Sequence, residues 1–174
     1  MNHADHVNLL RRGVHAQGGA WADLGAGSGA FTLALADLIG PQGTIRAVDR
    51  NSQSLLENER SMRARFPATT IDYETADITK PLDLPPLDGI VLANVLHFQT
   101  DQPSAVRLLR SYLKPGGQIL IVEYNARRSS SAVPYPVTYE RWQRLAEEAG
   151  FARTGLLATQ PSRWLGEVYS AGSS

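Results

Sequence analysis

Residues 21–31 read WADLGAGSGAF, and this stretch restricts the fold more than any other. An apolar run, Trp21–Leu24, stops at glycines 25, 27 and 29, and an alternating Leu/Ala pattern then runs from Phe31 to Ile39. The pattern predicts a strand, a glycine turn and a helix start in quick succession. Glycine at such a turn lets a ligand touch the main chain, because a Cβ there would block it. The alternative is plain turn chemistry, with the glycines packing a helix against a strand.

The same grammar repeats downstream. Thr44–Val48 is followed by an amphipathic stretch, Ser52–Arg65, carrying Leu55, Leu56, Glu59 and Met62. Gly89–Ala93 precedes a helical pattern over Pro103–Leu113, and Gln118–Glu123 is another apolar run. Thr70–Glu74 is a weaker strand candidate. Continuous apolar runs suit parallel strands covered on both faces, and strands alternating with helices predict an α/β fold. The crossover at 79–88 carries Pro81, Pro85 and Pro86 and reads as loop. Leu113–Gly117 (LKPGG) reads as a tight helix-to-strand turn. After Glu123 the pattern changes to a loop, Asn125–Val137. A helix then begins at a Thr138 cap and ends at Gly150. Ala152–Ala158 and Arg163–Tyr169 read as an antiparallel hairpin around a Thr159–Ser162 loop.

A length of 174 residues suits a single domain, 1–174. Within it, 1–19 is expected to form a helical lid, 20–124 the cofactor-binding core, and 125–174 a substrate loop, helix and hairpin. Basic and acidic residues balance at 17 each, so no global field favours nucleic acid or an anionic membrane. The absence of cysteine excludes disulfides, thiolate metal sites and cysteine nucleophiles. His3, His6 and His15 lack the spacing of a metal site, and no metal is expected. The opening MNHADHVNLLRRG has no apolar signal core, so a cytoplasmic location is expected.

Asp49 ends the second strand, twenty residues beyond Gly29. An acid there can bind both hydroxyls of a ribose lying over the glycine turn; the alternative is a charge at the start of the next helix. A dinucleotide turn reads G-x-G-x-x-G, whereas this one reads G-x-G-x-G with Asp23 two residues ahead. A carboxylate repels a diphosphate and attracts a cationic amino group. The turn therefore favours a nucleoside with an amino-acid end, as in S-adenosylmethionine.

With DLGAGSG at 23–29, AVDRN at 47–51, ADI at 76–78, DGIVLANVLHF at 88–98 and LKPGGQILIVEYN at 113–125, the chain resembles the class I S-adenosylmethionine-dependent methyltransferases. The likeness is strongest to the small-molecule group that includes quinone-biosynthesis enzymes. It implies a Rossmann-like, mostly parallel seven-stranded sheet of order 3-2-1-4-5-7-6, strand seven antiparallel, with helices on both faces. It implies S-adenosyl-L-methionine as cofactor and S-adenosyl-L-homocysteine as product. Asp23, Gly25, Ala26 and Gly27 would meet the methionine part. Asp49 would bind the ribose and Arg50 would flank the adenine. Asp77 would hold the adenine amino group beside Ile78, and Asn94 and Val95 would line the sulfonium end.

Methyl transfer from a sulfonium needs orientation in a dry site, and a general base only when the nucleophile arrives protonated. His97, Tyr124, Tyr135 and Glu123 are the candidates for the chemistry. Each has a structural alternative: His97 packing on Phe98, Tyr124 ending a strand, Tyr135 anchoring its loop, Glu123 pairing with a cation. Asn125, Arg127, Arg128 and Tyr135 are the candidate substrate residues, on the loop after the fifth strand. The expected partner is a small-molecule acceptor methylated at O, N or C, and a homodimer is one way to close an open pocket. The rival functions are a non-catalytic S-adenosylmethionine-binding subunit and a nicotinamide-dependent oxidoreductase.

Overall fold

The computed structural model describes residues 1–162 and 166–174. Seven strands form one sheet: β1 (Ala20–Leu24), β2 (Thr44–Asp49), β3 (Thr70–Thr75), β4 (Leu87–Ala93), β5 (Leu113–Tyr124), β6 (Thr154–Ser162) and β7 (Gly166–Ser173). Their order is β3-β2-β1-β4-β5-β7-β6. All pairs from β3 to β5 are parallel, and β7 runs antiparallel to both β5 and β6. The expected topology is the observed one.

Helices cover both faces. On one side lie α1 (His3–Arg11), α2 (Ala30–Ile39) and α3 (Ser52–Arg65), packed over Trp21, Ile45, Val91, Leu120 and Val122. On the other, α4 (Gln102–Ser111) and α5 (Tyr139–Glu148) pack over Leu24, Ile90, Leu92, Ile119 and Ile121. Consecutive residues of one strand therefore feed opposite cores, which is why the strands read as unbroken apolar runs. α2 is apolar nearly all round, and α1 covers the flank that would otherwise face water. An Asn2 capping box starts α1, and the Asp101 carboxylate caps α4 with Pro103 in its first turn.

Three expectations are corrected. The LKPGG turn lies inside β5: pairing with β4 steps from Leu87↔Leu113 to Gly89↔Gln118, so Lys114–Gly117 bulge out of one long strand. The helix expected over Pro103–Leu113 accordingly stops at Ser111. The hairpin loop expected at Thr159–Ser162 is strand, with Thr159 opposite Tyr169 and Ser162 opposite Gly166. Pro161 misled the reading; β6 is an edge strand, where a missing N–H breaks no ladder. The first three residues of the expected Arg163–Tyr169 strand lie outside the described residues. The 79–88 crossover contains no helix, as its prolines predict; Leu82 and Leu84 pack against the α4–α5 side.

Candidate functional site

The sheet's strand order reverses between β1 and β4, and a crevice opens beyond their carboxyl ends, where α/β sheets place ligands. The glycine turn forms its floor. Gly25 and Ala26 donate their N–H groups to the Val48 carbonyl (2.8 and 3.0 Å), and Gly27 donates to Asp49 Oδ2 (2.8 Å). The first three amides of the turn are thus consumed by β2 and are not free to cradle a diphosphate. Gly25 has φ +82°, and an added Cβ would collide with Val95. Gly27, at φ +52°, would point a Cβ into open space on the crevice wall. That unfilled volume suits a ligand pressed against the main chain.

Two connected clefts make up the crevice. The larger, about 450 Å³, is bordered by Asp49, Arg50, Asp77, Ile78 and Val95. The smaller, about 240 Å³, reaches Asp23, Ala26 and the start of α2. Gly25, Gly27, Ala93 and Asn94 belong to both. Every residue expected to hold the cofactor therefore lines one cleft or the other. Combined, the clefts fall within the size range of small-ligand sites. Sequence reasoning passed over Asn51, Ser54, Thr79, Phe98 and Gln99 on the larger side, and His6 and Phe31 on the smaller. Asn51 had a signal, since it caps α3 with its side-chain carbonyl. His6 had none, because nothing in the local sequence says where α1 docks.

The carboxylates differ sharply. Asp49 Oδ1 accepts the Asn51 N–H (2.8 Å) while Oδ2 holds Gly27, leaving each oxygen a further lone pair. Asp77 Oδ1 accepts both the N–H and the hydroxyl of Thr79 (2.9 and 2.7 Å), which hold this exposed carboxyl below its usual range. Asp23 is buried; burial, reinforced by the Asp49 charge, pushes it up to about 7 against the opposing Thr32 hydroxyl bond. That hydroxyl donates to Asp23 at 2.6 Å and accepts from Asn58 at 2.8 Å. A buried carboxyl of this kind gains most from a cationic partner. Asn94, at φ +56°, is the one non-glycine residue in the left-handed region among the described residues.

The candidates for chemistry sit elsewhere. His97 is 2% exposed and borders neither cleft. Its Nδ1 bonds Glu123 Oε2 at 2.5 Å. Glu123 Oε1 accepts the N–H groups of Val95, Leu96 and His97 (3.2, 2.9 and 3.3 Å). The buried acid at the end of β5 thus holds the 3-10 turn Leu96–Phe98 that follows β4. Tyr124 is half-buried, 6.3 Å from the His97 ring, and borders neither cleft.

The loop 125–137 is anchored rather than free. Asn125 spends its side chain on Glu167 and the Tyr139 N–H. Val133 and Val137 are buried. Gln102, missed in the sequence, donates to the Leu96 and Tyr135 carbonyls and accepts from Arg141 Nε (2.6 Å). Tyr135, 45% exposed, is tied by its N–H to the His97 carbonyl. Arg127 and Arg128 are exposed. None of Asn125, Arg127, Arg128 or Tyr135 borders the crevice. Among the described residues there is no cluster of metal-ligating side chains, and no helix is long and apolar enough to cross a membrane.

A Rossmann-like sheet with this strand order, a glycine turn whose first three amides are taken up by β2, and acids at the ends of β1 and β2 place the crevice in the class of nucleoside-binding α/β folds. The methyltransferase-domain family model matches residues 16–161, and the chain belongs to that family. Over 105 residues it is 31% identical to the ubiquinone/menaquinone biosynthesis C-methyltransferase UbiE of Shewanella sediminis. The match covers 59% of this chain and 41% of that enzyme, so the chain matches about two-fifths of its relative's length. Among solved structures, the YcgJ protein of Bacillus subtilis superposes with TM-score 0.79 at 14% identity, covering 98% of both chains. A SAM-dependent methyltransferase from Aquifex aeolicus superposes at 0.71 and 17%, covering 98% of this chain and 86% of its own. At those identities the likeness is one of fold.

Proposed function

We propose that the chain transfers the sulfonium methyl group to a small-molecule acceptor by in-line displacement, at an oxygen, nitrogen or carbon atom. The observation that carries this is the crevice itself. A side with two accessible acids joins, past a glycine whose missing Cβ leaves ligand space, a narrower side closed by a buried acid.

When bound, S-adenosylmethionine supplies a methyl group already activated by positive charge and a neutral thioether as leaving group. The protein's task is to bind, orient and exclude water. Asp49 takes the ribose hydroxyls with its spare lone pairs, and Arg50 flanks the adenine. Asp77 Oδ2, free of the Thr79 bonds, takes the adenine amino group, with Ile78 against the ring. Asp23 takes the amino group of the methionine end and gives up its proton as that cation arrives. Gly25 and Ala26 keep the main chain close, and Asn94 and Val95 face the sulfonium. Asn125 holds the loop whose exposed Arg127, Arg128 and Tyr135 lie outside the crevice, where they meet only the parts of an acceptor that extend beyond it. His97 and Tyr124 support the turn after β4 rather than accept a proton, since both are withdrawn from the crevice. UbiE enzymes are C-methyltransferases, which makes a carbon acceptor on a quinone-type ring the first compound to try.

Titration calorimetry with S-adenosylmethionine, S-adenosylhomocysteine and NAD tests the reading. The first two should bind and NAD should not. Gly27→Ala should abolish binding while keeping the fold, because its Cβ enters ligand space and its backbone strain costs only about 1–2 kcal/mol. Binding of NAD without the sulfur nucleosides would overturn the proposal.

A further inference from the structure

The smaller cleft contains a titratable side chain with no assigned task. His6, on α1, borders it together with Asp23, Gly27, Ala30 and Phe31. Its ring lies 4.8 Å from the Phe31 ring, tilted at 56°. Among the described residues no protein hydrogen bond reaches its ring nitrogens, in contrast to His3, which is paired with Asp37 (3.1 Å), and His97, which is paired with Glu123. His6 is thus the histidine of α1 that the fold holds over the crevice without a partner of its own.

What the cleft offers is two-sided. Asp23 is a carboxyl waiting for a cation. Opposite in character stand the His6 imidazole and the opening turn of α2, whose cap Gly29 contributes no side-chain hydrogen bond. Beyond Asp23 no second acid borders this cleft. An α-amino acid end is a zwitterion, and a wall with one acid and one imidazole donor complements both of its charges. Burial, and after it the nearby N-terminal ammonium, lower the proton affinity of His6, and an adjoining carboxylate works in the opposite sense.

We propose that His6 receives the carboxylate of the cofactor's amino-acid end, so that α1 is a wall of the cofactor site and not merely packing for α2. The assignment rests on the reading of the crevice as an S-adenosylmethionine site and adds to it a specific division of labour: Asp23 for the amine, His6 for the carboxylate.

Two ligands separate the roles: S-adenosylhomocysteine, and its decarboxylated analogue, which keeps adenosine, sulfur and amine. Both are titrated into the full chain and into His6→Ala, His6→Gln and Asp23→Asn. His6→Ala should weaken S-adenosylhomocysteine about tenfold, the scale of a hydrogen bond to a charged group, and leave the analogue within twofold. His6→Gln, which keeps a donor, should recover part of the loss. Asp23→Asn should weaken both ligands. Unchanged analogue binding in His6→Ala also shows that the variant is folded. Equal losses for both ligands in His6→Ala, or no loss for either, would overturn the assignment of His6 while leaving the crevice reading intact. If the unaltered protein bound neither ligand, the crevice reading would fail, and this inference with it.

Discussion

Beyond β1 the protein offers a ligand its main chain and its acids. Gly25 and Gly27 clear the approach, and Asp23, Asp49 and Asp77 each keep bonding capacity in reserve. Beyond β5 it does the reverse. Glu123, Gln102 and Asn125 are fully engaged with the protein, and what faces outward is Tyr135 and a pair of arginines. On the proposed function the first region receives one fixed compound, and the second is a mount whose outward groups face a variable acceptor.

Substitutions test how deep that contrast runs. The largest effect is expected at Glu123. Replacing it by Ala strips the acceptor from two buried N–H groups, from the half-buried N–H of Val95 and from His97, and should cost about 3–5 kcal/mol in urea unfolding. If Glu123→Ala kept its stability and lost only turnover, the mount would be catalytic machinery and the contrast would break.

Asp23→Asn should do the opposite to the empty protein. The folded carboxyl keeps its proton up to about pH 7, whereas the unfolded one releases it near 3.9. Stability therefore falls as pH rises from about 4 to about 7, and stays low above that. The variant removes this penalty. It should be more stable than the parent by up to about 4 kcal/mol at pH 8, with a much smaller gain at pH 4, as thermal melts at both values would show. Cofactor affinity should drop in the same variant, the mark of a group kept for its ligand and not for the fold.

Asp49→Ala should reduce S-adenosylhomocysteine affinity by about 1.5–3 kcal/mol by calorimetry, since hydrogen bonds to a charged acceptor are lost. The smallest effect is expected at the exposed pair: Arg127→Ala and Arg128→Ala should change unfolding free energy and cofactor affinity by less than about 0.5 kcal/mol each. A larger loss of cofactor affinity would extend the receptor region across the loop.

The same divide governs what could be read in advance. Strands, helices, the glycine turn and the acid at the end of β2 follow from local signals: apolar runs, glycine spacing, an acid at a strand end; the strand order and the rest of the crevice wall follow from the resemblance to a known family. Those signals lie close together in the chain, and each side chain's role is set by its neighbours. His97 shows where that logic stops. Its position after β4 suggests a base, but its partner Glu123 is 26 residues away and buried beside it, which only tertiary packing reveals. Gln102 fails for the same reason, joining Leu96, Tyr135 and Arg141 across three elements. Pro161 misled in another way, because no local signal marks β6 as an edge; its place there follows only from the implied strand order.

The placement of β7 bears on how the crevice is held. It follows β6 in the chain yet occupies an interior lane, between β5 and β6. α1 rests on α2 and partly on β6, with Arg12 bonded to the Leu157 carbonyl and Asp5 to Gln160. The helix bordering the small cleft is thus braced against the outermost strand, which is fastened to the sheet through β7. Peeling that strand away would loosen one side of the cleft from a distance.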